Sequence, residues 1–292
     1  MSIIKQPAIT KTAASTSVGR EKRFLGTIFR CAFVGDCYII TSKGAAAAGD
    51  FSQRSRIMQL ELKNINKSFD SKQVLKDISF TFEKGKIYGL LGRNGSGKTT
   101  LFNCLSGEMK ADGGAAFFAG NGQRSALKPE HVGYVFTTPI LPDFLTGYEF
   151  VKFYMDINRE YIRSERTVDE YLELIEIDAE DRHRLIKGYS HGMKNKIQML
   201  CFIISKPPVI LLDEPLTSLD VVVALEIKKL LRDIKEDHFI LFSTHILQLA
   251  ADLSDEIVVL NDGVLEQIDN KLIGDPHFEE RIISLLKDEH ES

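Results

Sequence analysis

No stretch of this 292-residue chain stays apolar for the roughly 18 residues that a membrane helix requires. The best runs, 201–204 and 209–212, are far shorter, so any membrane role would have to come through a partner. Cysteine is scarce and scattered: Cys31, Cys37, Cys104 and Cys201 form no CxxC pair. Neither a zinc site nor a disulfide framework is indicated, which fits a reducing compartment. Positive charge is also short. The formal net charge is −4, and residues 1–57 hold nine Lys/Arg against three Asp/Glu, which leaves −10 on the remainder. Nucleic acid is bound through clustered Lys and Arg on its phosphates, so an acidic body predicts no nucleic-acid partner.

What is present suits one globular unit: 43% of residues are hydrophobic and 27% charged. Residues 1–57 stand apart. They are rich in Ser, Ala and Arg, lack periodicity and include the low-complexity run 44–49 (GAAAAG), so they are predicted to be a disordered leader or extension. Their acid-poor, Arg-containing composition also admits an organelle transit peptide, whereas the continuous apolar core of a secretory signal is missing.

Met58, Leu60 and Leu62 alternate with Gln59, Glu61 and Lys63, as Ile78, Phe80 and Phe82 alternate with their neighbours. That period predicts two half-buried antiparallel strands over 58–65 and 77–83. A short apolar strand at 87–91, a Gly-rich loop and a helix stopped by Gly107 follow. Val168, Tyr171, Leu172 and Ile175 recur at helical spacing, after a loop marked by Pro139 and Pro142. From Val209 strand and helix alternate: a strand at 209–212, a helix over 221–236, a strand at 239–242 and a helix from His245. Such alternation implies a parallel sheet with helices on its faces. Asn261-Asp262-Gly263 reads as a hairpin turn, and the tail from Pro276 as a closing helix.

Gly92-Arg93-Asn94-Gly95-Ser96-Gly97-Lys98-Thr99 fits GxxxxGK[ST] and lies between a buried strand and a helix start, which is the context the motif needs. Glycines let backbone N–H groups wrap phosphate oxygens, the helix N-terminus adds its positive end, and Lys98 is expected to reach the β- and γ-phosphates. Thr99 is expected to hold Mg²⁺, and the loop through Thr100 to seat a nucleotide. Downstream, 209–214 (VILLDE) is an apolar strand that delivers two carboxylates at its C-terminal end, the edge where open α/β sheets bind ligands. Asp213 is predicted to join Thr99 at the metal, and Glu214 to act on the attacking water as general base. No NKxD guanine-reading motif follows the loop, and Asn66-Lys67-Ser68 precedes it and lacks the Asp, which disfavours a GTPase.

Together with Tyr189-Ser190-His191-Gly192-Met193, Ser218-Leu219-Asp220 and Thr244-His245, these motifs run in an order that resembles the nucleotide-binding domain of ABC transporters, over about residues 58–270. The resemblance implies an α/β P-loop NTPase of ABC type: a mixed, mostly parallel sheet core with an antiparallel β-subdomain and a helical subdomain. The nucleotide-binding unit would occupy 58–275, its helical subdomain about 138–205, and the closing helix 276–292. It further implies that Ser190 and Gly192 form a signature loop that meets the γ-phosphate held by a second nucleotide-binding subunit, the same chain or a relative. Asp220 would couple the two sites, His245 would contact the γ-phosphate as a switch, and Phe69, placed in the loop after the first strand, would stack on adenine. The ligands implied are ATP and Mg²⁺; the activity is ATP hydrolysis, coupled to transport by a separate membrane-spanning permease that holds the chain at the inner face of the membrane.

Phe144, Leu145, Phe150 and Phe153 are candidates for the surface that meets the permease, or simply for the core of the helical subdomain. The His191-Gly192-Met193 form of the signature leans toward export. Thr137 stands where the family usually has a glutamine, and its shorter side chain puts direct reach to the metal and water in doubt. That departure supports an alternative: a soluble regulatory ABC ATPase that dimerises with ATP and turns over little. A ribosome-linked or DNA-maintenance ATPase is weakened by the single copy of each motif and the acidic body.

Overall fold

The computed structural model describes residues 58–268, save 160, 161, 163, 217, 218 and 220, together with 280 and 282. The leader expected over 1–57 and nearly all of the closing helix expected from 276 lie outside the described residues.

The chain opens with a long hairpin, β1 (Gln59–Phe69) and β2 (Lys72–Glu83). Leu60 faces Phe82 and Leu62 faces Phe80 across it. These strands are longer than the alternating pattern predicts because the register shifts between Leu62 and Ser68 break the pattern while pairing continues through to Phe69. Side chains bridge the break: Asn64 N–H donates to Ser79 Oγ at 2.9 Å, and the Asn66 amide both donates to Asp77 Oδ1 at 2.7 Å and accepts from Asp77 N–H at 3.0 Å. Phe69, expected in a loop, therefore closes β1 and pairs with Lys72. With β4 (Gly113–Gly120) and β5 (Gln123–Ala126) the hairpin makes a four-stranded antiparallel sheet ordered β2-β1-β4-β5.

The second sheet is ordered β10-β9-β3-β8-β7-β6. β3 (Ile87–Leu91), β6 (Val132–Val135), β7 (Val209–Asp213), β8 (Phe239–Thr244) and β9 (Glu256–Asn261) run parallel; β10 (Val264–Gln267) adds an antiparallel edge. Every residue of β3, β7 and β8 is buried. Parallel strands covered on both faces are continuous apolar runs, which is why they are conspicuous in the sequence. One face packs against the antiparallel sheet and α1 (Lys98–Ser106) through Leu60, Phe82, Tyr88, Phe102 and Leu241. The other packs against α6 (Val221–Ile234) through Ile210, Leu212, Ile227, Leu231 and Phe242. Gly107 closes α1 at φ 84°, where a side chain would be strained. The helix expected from His245 starts two residues later, as α7 (Leu247–Leu253), and leaves His245 just past the strand.

Between β6 and β7 lies a helical unit with its own core: α2 (Gly147–Ile157), α3 (Val168–Leu174), α4 (Ala179–Arg182) and α5 (His191–Ser205) around Phe150, Tyr171, Leu172, Ile197 and Leu200. α2 and α3 each start with a reciprocal cap. Thr146 Oγ1 accepts from Glu149 N–H while Glu149 accepts from Thr146 N–H at 2.9 Å, and Thr167 and Glu170 repeat the arrangement. Phe150 is fully buried here, and Leu145 and Phe153 are partly buried against the same cluster. Of the four residues considered for a docking surface, only Phe144 is exposed; Leu145, just before the cap of α2, and Phe150 and Phe153 on the helix pack on the core.

The hairpin turn at Asp262 and Gly263, both at positive φ, touches the antiparallel sheet. Lys76 N–H donates to Gly263 O at 2.8 Å, and a Cβ on Gly263 would lie 2.5 Å from Val74 O. Val74 also faces Gly97, where an added Cβ would lie 3.0 Å from its Cγ1.

Candidate nucleotide site

The buried strand β3 ends at Leu91 and the chain turns through 92–97 into α1. Gly92 has no room for a side chain: a Cβ would lie 2.6 Å from both Leu260 O and Ser96 Oγ. Gly95 and Gly97 take positive φ of 84° and 108°, a conformation that favours glycine. Gly97 caps α1 without a side-chain bond, so the first N–H groups of the helix are left for a ligand. Ser96 Oγ is buried without a hydrogen-bond partner. An orphaned donor, open helix N–H groups and a bare backbone turn together make a cradle that fits phosphate oxygens.

Lys98 is only 7% exposed and folds back over the turn, its Nζ donating to Gly92 O at 2.8 Å and Arg93 O at 3.1 Å. Burial lowers its pKa, and the carboxylates of Glu214 and Asp213 oppose that shift. Thr99 Oγ1 donates to Asp213 Oδ2 at 2.8 Å. Two hard oxygen ligands thus sit side by side, while no group of three or more His, Cys, Asp or Glu among the described residues could cage a metal. That suits Mg²⁺, which keeps waters and takes one or two protein oxygens plus phosphates.

Adjacent strands build the rest. β7 delivers Asp213 and Glu214, and β8, in register with it, places Ser243 beside Asp213. Ser243 Oγ donates to Asp213 Oδ1 and accepts from Glu214 N–H at 3.0 Å. From β6, Tyr134 O–H approaches Asp213 Oδ2 at 3.5 Å. Burial first, and then the Asp213 carboxylate, hold that hydroxyl far above its ordinary pKa, so it stays protonated. Glu214 sits at φ 53°, a left-handed conformation that costs a non-glycine residue about 1–2 kcal/mol. Its carboxylate oxygens lie 2.9 and 3.0 Å from His245 Nδ1. An ionised carboxylate only accepts, so Nδ1 carries the hydrogen and Nε2 is left for another partner.

The structure thus gathers Lys98, Thr99, Asp213, Glu214 and His245 in one place at the C-terminal end of the parallel strands. Arg93, Asn94 and Thr100 flank them on the turn and the first turn of α1. Phe69 is 43% exposed at the tip of the β1–β2 hairpin, with Lys67 Nζ 5.5 Å from its ring centre. Ser190 and Gly192 stand elsewhere, at the start of α5: Ser190 Oγ caps the helix by accepting from Met193 N–H at 3.1 Å, and Gly192 faces Val223 of α6. No hydrogen bond joins either to residues 92–100 among the described residues. Asp220 lies outside the described residues. Thr137 is exposed on a bend just beyond β6. Ser243 and Tyr134 were not anticipated; two polar residues, Ser243 and Thr244, at the end of an apolar run were the available signal.

Residues 75–217 match the family model described as ABC transporter. The chain is 32% identical over 220 residues to the uncharacterized ABC transporter ATP-binding protein YhcH of Bacillus subtilis, covering 72% of this chain and 70% of that protein. The chain belongs to the ABC transporter ATP-binding family. This ABC chain is also 32% identical over 219 residues to the sulfate/thiosulfate import ATP-binding protein CysA of Bacillus cereus, covering 72% of the chain; it spans 61% of that relative's length. Among solved structures, one described as the ATP binding subunit of an ABC transporter superposes with a TM-score of 0.64 at 26% identity, covering 78% of this ABC chain and 99% of the other. The fold is that of the ABC ATPases.

Proposed function

We propose that this chain hydrolyses ATP as the nucleotide-binding subunit of a transporter, driving a separate membrane-spanning partner. The observation that carries the reading is the convergence of a phosphate cradle, a two-oxygen metal seat and a Glu–His pair at one sheet edge. The glycine turn and Lys98 hold the phosphates, and Thr99 and Asp213 hold Mg²⁺. The metal, when bound, supplies charge that stabilises the phosphate oxygens. Glu214 takes a proton from the attacking water as its oxygen bonds to the γ-phosphorus and the bond to the β-phosphate breaks, releasing ADP and phosphate. His245 orients Glu214 through Nδ1 and offers Nε2 to the γ-phosphate side. Phe69, exposed at the tip of the β1–β2 hairpin, is the adenine platform.

Ser190 and Gly192, which cap and start α5 and share no hydrogen bond with residues 92–100 among the described residues, serve the cradle of a second nucleotide-binding subunit, with Asp220 coupling the two sites. Val221, Val222 and Leu225 stand exposed on α6 beside that segment, an apolar face consistent with such a neighbour. The membrane partner meets the helical unit. Ile140, Phe144 and Leu185 are exposed on two loops tied together by the Thr146–Leu185 bridge and by Lys187 N–H donating to Asp143 O. No helix among the described residues is long and apolar enough to cross a membrane; on this reading the membrane partner holds the chain at the membrane surface. Export, toward which the signature form leans, is not supported by the relatives, one of which is named for import; direction and cargo belong to the membrane subunit.

Glu214→Gln tests the reading. The variant is expected to bind ATP with native affinity, lose turnover by about a hundredfold or more, and accumulate a nucleotide-bound dimer that co-purifies with a multi-span membrane protein. Native turnover would remove Glu214 from the base role. Capture of soluble partners alone would favour the regulatory reading, which the exposed threonine at position 137 supports.

A further inference from the structure

Ser243 is the last but one residue of β8 and is fully buried at 0% exposure. Its single hydroxyl serves two masters. The O–H donates to Asp213 Oδ1, and the oxygen accepts the backbone N–H of Glu214. A serine hydroxyl offers one donor and two acceptor sites, so both bonds form at once. The other donors to the Asp213 carboxylate, Thr99 Oγ1 at 2.8 Å and Tyr134 O–H at 3.5 Å, both address Oδ2. Ser243 therefore holds Oδ1, and by doing so fixes the plane in which Oδ2 meets Thr99. The same atom anchors Glu214 where its backbone turns left-handed at φ 53°, a conformation that persists only when its surroundings hold it.

We propose that Ser243 is a positioning residue that joins the metal-holding carboxylate of Asp213 to the backbone of Glu214, so that the metal seat and the general base are presented as one unit. The inference rests on the hydrolytic reading above. It makes metal affinity and base placement depend on one hydroxyl that touches neither metal nor substrate. A residue that merely satisfied two buried polar groups would change stability alone; a positioning residue changes how the folded protein responds to metal.

The experiment compares the full-length native chain with Ser243→Ala, the near-isosteric Ser243→Cys, whose thiol is a weak donor and acceptor, and Ser243→Thr, which keeps the hydroxyl on a strand-favouring side chain. Steady-state turnover is titrated with Mg²⁺ at saturating ATP, and Mn²⁺ affinity is read by electron paramagnetic resonance with a non-hydrolysable ATP analogue bound. Thermal melting gives the folded fraction of each variant. Ala and Cys are expected to lower kcat about tenfold and to raise the half-saturating Mg²⁺ and the Mn²⁺ dissociation constant about tenfold, with the KM for ATP at saturating Mg²⁺ within about twofold of native. Thr is expected to stay within about threefold of native on every measure, as loss of the hydroxyl is what the other two share.

The proposal is overturned if Ala keeps native kcat and Mn²⁺ affinity. It is equally overturned if the loss in Ala and Cys tracks the folded fraction with metal dependence unchanged, or if Thr is as damaging as Ala. The Mn²⁺ measurement needs no turnover. A native chain that does not hydrolyse ATP would sink the hydrolytic reading, and the metal affinities of native and variant chains would still decide the role of Ser243.

Discussion

The sheet that carries the phosphate cradle and the helical unit that carries Ser190 and Gly192 position their functional residues by different means. On the sheet, Asp213, Glu214, Ser243 and His245 leave two strands whose pairing runs in register from Val209–Phe239 to Asp213–Ser243. Their spacing follows from backbone hydrogen bonds, and every residue of both strands is buried. In the helical unit, Ser190 is held by capping its own helix, and the unit rests on a separate core around Phe150 and Tyr171. It is tied to the loop before α2 by Ile186 N–H donating to Leu145 O at 2.8 Å and by the Lys194–Asp143 ion pair at 3.1 Å. Register locks the first set to within the geometry of a β-ladder. A capped helix on its own core can move as a body and keep its end intact.

If the two regions are energetically distinct, damage to one should leave the other legible. The largest effect is expected from Phe150→Ala, which empties the centre of the helical core and should cost about 3–5 kcal/mol of stability. Chemical denaturation would measure it, and nucleotide affinity under folding conditions should stay native; loss of affinity in proportion to the lost stability would merge the regions into one. Lys98→Ala is the converse. ATP binding by equilibrium titration should weaken by about a hundredfold, or about 3 kcal/mol, with the loss of charge-assisted bonds, while the melting temperature without nucleotide does not fall. A drop in that temperature would show that the buried ammonium supports the fold. The smallest effect belongs to Thr146→Ala, which removes the cap of α2 and should cost about 1 kcal/mol in the unfolding of the helical unit. Amide exchange should report faster opening of α2 with β7 and β8 unchanged.

The same contrast explains what could be read from residues alone. β3 and β7 are legible to within a residue because strands buried on both faces are unbroken apolar runs. The glycine turn and Gly107 were visible because only special backbone angles explain them. The antiparallel hairpin is longer than its pattern predicts, since apolar alternation lapses over 66–76, where Asn66 patches an irregular stretch by bonding to Asp77. In the helical unit, helical spacing marks Val168, Tyr171, Leu172 and Ile175, whereas Phe150 stays open between docking surface and core, because an apolar residue does not say in sequence which side of the unit it faces. Ser243 and Tyr134 escaped notice for a different reason. Their contacts with Asp213 come from strand order, β8-β7-β6, which joins distant parts of the chain.

Val74 sits between two glycines, one opening the helix of the phosphate cradle and one in the hairpin turn that ends in β10. The outer wall of the nucleotide pocket is thereby wedged from behind by a turn near the far end of the domain. A side chain added at Gly263, though remote in sequence from the glycine turn, would press through that wedge on the cradle itself. Damage to such a variant would look like a defect of the nucleotide site, although its cause would lie in a buried glycine of a hairpin turn.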